Sequence, residues 1–184
     1  MQFVVEHEFE VSAEQLAAAT LDRAYATYLA AHHPLLLAAE EQSRSEESGV
    51  ITRRVHVTPK PAFEHIGHKK LAPEWFEFVD ESVWSATERR LSFAHLPTEE
   101  RVRKRLNTRG VVTLERTSER RTRRITEISI DVHDLPFMLR PFKGMAEQML
   151  AREARKMVEL EADVMQRFLK ERAGLAPESS QTAL

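Results

Sequence analysis

Apolar and polar positions alternate from residue 2 to residue 11. Phe3, Val5, His7, Phe9 and Val11 share one parity; Gln2, Glu6, Glu8 and Glu10 take the other, with Val4 out of step. A period of two predicts a half-buried strand. Ser12 and Gln15 have the spacing of a capping box, so a helix starts near residue 13. The stretch that follows is rich in Ala and helical in propensity. Its larger apolar residues Leu16, Leu21, Tyr25, Tyr28 and Leu29 do not hold one stripe, which predicts two short helices that end before Pro34.

From Leu35 to His133 the signals are mostly strands. The first half of 35–47 reads as a strand. In 50–58, Ile51, Val55 and Val57 oppose Arg54 and His56. In 74–85, Phe76, Phe78 and Trp84 oppose Trp75, Val79 and Val83. Strands follow at 89–96, 102–116 and 123–133, the last with Ile128, Ile130 and Val132 on one face. The gaps between them are short and polar, as in a meander of hairpins. Residues 59–73 hold three prolines and a glycine and read as a loop or lid.

The period then changes. Phe142, Met145, Met149, Leu150, Ala154, Met157, Val158, Val164, Met165 and Phe168 recur at spacings of three, four and seven. They mark one face of a helix over 142–172, about 46 Å long at roughly 1.5 Å per residue. Asp134 is placed to cap its start, with Pro136 and Pro141 in a broken first turn. The predicted fold is therefore α+β: a curved antiparallel sheet around a long C-terminal helix, with two short helices after the first strand. One domain spans 1–172, and 173–184 form a disordered tail.

Of the 184 residues, 42% are apolar and 30% charged, and 27 basic side chains nearly cancel 29 acidic ones. That balance argues against a dedicated nucleic-acid binder. There is no cysteine, which excludes disulfides, thiolate metal sites and cysteine nucleophiles. No signal-like start and no span of ~18 apolar residues is visible, so a cytoplasmic location is the simplest expectation.

The candidate chemistry is thin. His7 lies on the apolar face of the first strand, where it could orient a ligand or act as acid or base; a structural histidine is the expected reading. His32, His33, His65 and His68 invite a metal, but Lys69 and Lys70 flank the later pair and no metalloprotease-type spacing occurs. Solvent-exposed loops are expected there, with no metal or cofactor. Glu77, Asp80 and Glu81 could supply a carboxylate pair. Asp80 and Glu81 point oppositely, however, and Glu77 and Glu81 are expected on the wet face, so no catalytic residue is assigned. Arg101, Arg103, Arg105, Arg109, Arg116, Arg120, Arg121, Arg123 and Arg124 crowd the later strands. They are expected to form a solvated outer face paired with acids. An interaction module on that face is the alternative, and a transient contact with an anionic membrane is the partner it allows. Met138, Met145, Met149, Met157 and Met165 suit a core or an adaptable pocket.

The element order resembles the START-like superfamily, also called SRPBCC or helix-grip. Local matches are similar to a bacterial START-like family of unknown function: the opening MQFVVEHEFEVSAEQLAAAT, the Arg53–Arg54 pair, the Glu81-Ser82-Val83-Trp84 run, Gly110 to Leu114, and the Pro141-Phe142-Lys143-Gly144 lead-in to the last helix. The region from Arg53 onward resembles, more weakly, the PRELI lipid-transfer domains. This resemblance implies a hydrophobic pocket between sheet and helix for a lipid-like small molecule. Phe3, Val5, His7, Phe9, Phe76, Phe78, Trp84, Val112, Leu114, Ile128, Ile130, Met145 and Met149 would line it, closed by the lid at 59–73. Some relatives are cyclases or hydrolases, so an enzyme with His7 as its acid–base group is a second expectation.

Overall fold

The computed structural model describes residues 1–61, 65–66, 69–70, 73–134 and 137–175. Strand β1 (Gln2–Phe9) runs into α1 (Ala13–Thr20) and α2 (Arg23–His32). Then come β2 (Leu36–Glu47), β3 (Val50–Pro59), the two-residue strands β4 (His65–Ile66) and β5 (Lys69–Lys70), β6 (Phe78–Ser85) and β7 (Arg90–Pro97). A single turn, α3 (Glu100–Arg103), precedes β8 (Leu106–Ser118), β9 (Arg121–Val132) and the long α4 (Lys143–Leu175). Seven strands form one antiparallel sheet in the order β1-β9-β8-β7-β6-β3-β2. This is the predicted helix-grip architecture.

Local chemistry sets the boundaries. The Ser12–Gln15 capping box is formed in both directions, and Asp22 caps α2 through the Ala24 N–H. Ser48 and Gly49, at φ of 50° and 78°, turn β2 into β3; this left-handed pair is what a two-residue hairpin requires. Four expectations shift. All of 36–47 is strand, with bulges after Leu36 and Glu41. Residues 73–75 form a 3-10 turn, so Phe76 precedes β6. Residues 100–103 are helical because Glu99 caps them. Asp134 sits at φ 50°, and a 3-10 turn over Phe137–Phe142 separates it from α4, so it does not cap that helix. The lid residues Phe63 and Leu71, and the tail from 176, lie outside the described residues.

Helix α4 packs on β1, β9, α1 and α2. Its start is tied to the end of β9: Lys143 Nζ reaches Asp131 at 2.9 Å, and Glu147 accepts from the Val132 N–H at 3.1 Å. Its second half is core as expected, with Ala162, Val164, Met165 and Phe168 all buried. Its first half is core only in part: Ala151 is buried, with Leu150, Ala154 and Val158 against the same cluster, while Met145 is 68% and Met149 43% exposed and stand outside it. The stripe spacing identified a helix face, but at the helix start, where Lys143 and Glu147 tie α4 to the end of β9, its first members Met145 and Met149 lie in solvent.

Three separate apolar clusters make up the interior. One joins Phe9, Leu16, Tyr25, Trp84, Leu91 and Leu114 to Met165 and Phe168. A second joins Ala26, Leu36, Val55 and Val57, with Phe78 and Met157 against it. The third holds Ile128, Ile130 and Ala151, with Phe3 and Phe93 against it. Gly110 makes the third possible. A Cβ there would collide with the Phe93 ring and with the Glu127 carbonyl oxygen.

At the first cluster's edge, Arg124 meets Glu161 of α4. Arg124 Nη2 lies 2.5 Å from Glu161 Oε2, and the Tyr25 hydroxyl donates to Glu161 Oε1 at 2.6 Å. Burial alone would raise the Glu161 carboxyl, but the Arg124 charge and the two hydrogen bonds hold it below its ordinary value. Glu161→Ala should therefore cost about 3 kcal/mol in urea unfolding at pH 7, because it strands the buried Arg124 charge. A depressed carboxyl contributes its stability above its unfolded value of 4.5 and loses it as pH falls through the native value. The variant should thus show a smaller stability loss on acidification below about pH 4.5 than the wild type; parallel acid limbs would contradict this.

Candidate functional site

Register places the inward side chains of the sheet in rows. One row runs Ile130, Thr108, His95, Asp80, Val55 and Glu41 from β9 to β2. The next runs Phe3, Ile128, Gly110, Phe93, Ser82, Arg53 and Arg44. His7 faces Arg124 in a further row. These polar residues form a seam between the three apolar clusters.

Each has its own reason to be inside. Arg53 donates from Nη1 to the Thr20 carbonyl at 3.0 Å, and Arg44 from Nη1 to the Leu21 carbonyl at 2.5 Å. The two guanidinium groups thus hold the negative C-terminal end of α1. His33, at the C-terminal end of α2, is buried: the Leu35 N–H donates to its Nδ1, and its Nε2 lies 3.2 Å from the Met157 carbonyl. Because Nδ1 accepts, Nε2 carries the hydrogen, and the ring clips α2 to α4.

The centre of the seam is the Asp80–His95 pair. Asp80 Oδ1 stands 3.7 Å from His95 Nε2. Phe78 stacks on His95 at 4.4 Å between centroids, and Phe93 tilts against it at 5.1 Å. Burial pushes the Asp80 carboxyl up, opposed by His95 and Arg53; burial pushes the His95 imidazole down, opposed by Asp80. Asp80 Oδ1, Ser82 Oγ, Arg53 Nε, Thr126 Oγ1 and His7 Nδ1 are buried without a hydrogen-bond partner among the described residues. His7 is lowered by burial first and by Arg124 second.

Of the residues expected to line a pocket, Phe9, Trp84, Leu114, Ile128 and Ile130 are buried within the clusters, and Val5 is buried outside them. Phe3, His7, Phe76, Phe78 and Val112 are half-buried. Met145 and Met149, on the outside of α4, do not join them. None of Arg53, Asp80, Ser82, His95, Arg124 and Glu161 was assigned to the site, although Asp80 was weighed as half of a carboxylate pair. Strand parity could have found five of them: Arg53 shares the parity of Val55, Asp80 and Ser82 that of Trp84, His95 that of Leu91, and Arg124 that of Ile128.

The outer sheet face behaves differently. A depression of about 580 Å³ crosses it, lined by outward residues such as Val4, Val83, Val111 and Glu127. It is open and carries no cluster of shifted groups. Two of the arginines there are paired with acids: Arg123 with Glu115 at 2.5 Å and Glu6 at 3.7 Å, and Arg121 with Glu10 at 3.6 Å. Arg124 is the exception, being inside. Among the described residues no three His, Asp or Glu converge as a metal site, and no helix is long and apolar enough to cross a membrane. His68 lies outside the described residues.

The sequence matches the family described as "Protein of unknown function (DUF2505)" over residues 4–169. The chain belongs to this family. None of the curated proteins matches significantly. Among solved structures, TTHA0849 from Thermus thermophilus is similar with a TM-score of 0.63 at 13% identity, over 94% of this chain and 99% of that one. The Zhui aromatase/cyclase from Streptomyces sp. R1128 also gives 0.63 at 13%, over 96% and 99%. A START superfamily protein from Mycobacterium smegmatis gives 0.55 at 12%, over 93% and 98%. At such identity the likeness establishes the START-like fold and leaves the chemistry to the side chains.

A raised carboxyl costs folding energy where it is ionised in both states and nothing below its unfolded value of 3.8. Asp80→Asn should accordingly raise the melting midpoint at pH 7 by on the order of 2 °C, with the gain gone at about pH 3.5. Calorimetry at the two pH values checks this; an unchanged or lower midpoint at pH 7 would show that Asp80 is stabilising where it sits.

Proposed function

We propose that this DUF2505 protein binds a small apolar or amphipathic molecule on the concave side of its sheet, beneath α4. One observation carries the reading: Phe78, Phe93, His95 and Val112 face inward yet remain only half-buried. An aromatic-lined space with a few convergent polar groups is the usual form of a small-molecule site. Binding without turnover is the simpler version. Catalysis by His7 is disfavoured, because its neighbour across the strand pair is Arg124, whose charge opposes protonation of the ring.

N-phenyl-1-naphthylamine, a neutral fluorophore, should bind the wild type saturably at one site. Val112→Trp, which fills the space from β8, should weaken it about tenfold or more while the fold is retained. No saturable binding by the wild type, together with no co-purifying molecule in native mass spectrometry, would overturn the reading.

A transient contact with an anionic membrane is a second reading, favoured by the start of α4. Phe137, Phe142, Met145 and Met149 are exposed there beside exposed Arg140, Arg152 and Lys156. Apolar side chains with a basic fringe suit an anionic lipid surface. Co-sedimentation with phosphatidylglycerol vesicles should exceed that with phosphatidylcholine. Met145→Glu with Met149→Glu should abolish the difference; equal sedimentation with both vesicles would refute the contact.

A further inference from the structure

The concave face has a polar centre whose geometry is specific enough to name a ligand group. His95 is held on three sides. Phe78 lies two positions from its partner Asp80 on β6, toward Pro97, and Phe93 lies two positions before it on β7, so the two rings flank the imidazole from opposite directions along the strands. Its Nε2 edge faces the buried Asp80 Oδ1. About a third of the side chain, 32%, is still exposed. With the two rings against it and Nε2 toward Asp80, the exposed third of the side chain leaves the imidazole within reach of a ligand, and Nδ1 is the nitrogen not turned to Asp80.

A carboxylate beside one ring nitrogen selects the tautomer with the hydrogen on that nitrogen. Asp80 has no other hydrogen-bond donor at Oδ1 among the described residues, so Nε2–H is the donor it can draw on. The 3.7 Å separation is long for a hydrogen bond and leaves room to tighten once a ligand fixes the ring. The other nitrogen, Nδ1, is then unprotonated and accepts. We propose that His95, oriented by Asp80, accepts a hydrogen bond from a hydroxyl group on an otherwise apolar ligand, and that Phe78 and Phe93 contact the carbon skeleton next to that hydroxyl. His95 is the binding residue; Asp80 acts through it as a positioning residue. The assignment rests on the concave-face reading above and adds the chemistry of the ligand to it. It favours an alcohol or phenol over its methyl ether, which has no hydrogen to donate. It also disfavours a carboxylate, which would bring a second anion close to Asp80.

Affinities of the full chain for 2-naphthol and 2-methoxynaphthalene, measured by isothermal calorimetry, test the assignment. The hydroxyl compound should bind on the order of tenfold tighter, the worth of one well-formed hydrogen bond. His95→Phe should remove that preference while still binding 2-methoxynaphthalene, which also shows that the variant is folded. Asp80→Ala should reduce the preference without changing the ether's affinity, an effect that a purely structural role would not produce. On the wild type, the His95 imidazole 15N resonances should move with 2-naphthol and not with the ether, a readout independent of any variant. Equal affinity for the two compounds, or a preference that survives His95→Phe, would overturn the assignment and leave the concave-face reading standing. Binding of neither compound would overturn it too, and that outcome combined with no fluorophore binding would remove both.

Discussion

The contact between Arg124 and Glu161 decides where the last helix lies. An apolar stripe on a curved sheet tolerates sliding, since Met, Leu and Val can exchange neighbours at modest cost. A buried guanidinium and carboxylate cannot, because a shift of one turn would leave both charges stranded at several kcal/mol each. Tyr25 donates to the same carboxylate, so α2 is fixed with α4 and β9 in a single arrangement. Arg53 and Arg44 do the equivalent for α1 by holding its last carbonyls. The helices are thus positioned by charged groups that reach in from the sheet, and the apolar clusters fill around them.

That scheme has a consequence for the interior. Helix α4 is pinned toward β1 and β9, while the polar seam runs on through β8, β7 and β6 to β3. Along it Phe78, Asp80, Phe93 and His95 are half-buried, Ser82, Arg53 and Thr108 are buried, and several polar atoms have no partner within the described residues. In a closed core, atoms buried without a partner are a plain cost of about 1–3 kcal/mol each. A small-molecule site, by contrast, needs them. The division of the core into three clusters and the presence of the seam are the same fact seen from two sides.

Much of this was legible in the sequence. The period of two in residues 2–11, the Ser12–Gln15 box and the late change to a helical period were enough for the sheet, the helix pair and the order of elements. Half of the site was not. Asp80 has the parity of Phe78 and Trp84, yet a carboxylate on an apolar face reads as an exception until its partner is known, and the partner His95 lies on another strand. Glu161 carried no signal at all, because its meaning depends on Arg124 across the interior. Met145 and Met149 failed in the opposite sense. Helical spacing finds a stripe, but which part of a 33-residue helix meets the sheet depends on contacts such as Lys143 with Asp131 and Glu147 with Val132.

The likeness to the aromatase/cyclase and the other START-like structures, at 12–13% identity, establishes the fold, and the space proposed beneath α4 rests on this chain's own side chains. What such a space does depends on which polar residues break its apolar lining. Here they are an imidazole braced by a carboxylate and flanked by two phenylalanines, with Arg53 committed to a helix end and Arg124 to Glu161. These interior cations are therefore already engaged, one by a helix dipole and one by a carboxylate. Arg53 Nε has no hydrogen-bond partner among the described residues, but its charge already acts on the Asp80 carboxyl, an anion that opposes entry of a second one. The residual capacity is that of an acceptor, which is why recognition of a neutral hydroxyl fits this interior better than capture of a fatty acid through its carboxylate.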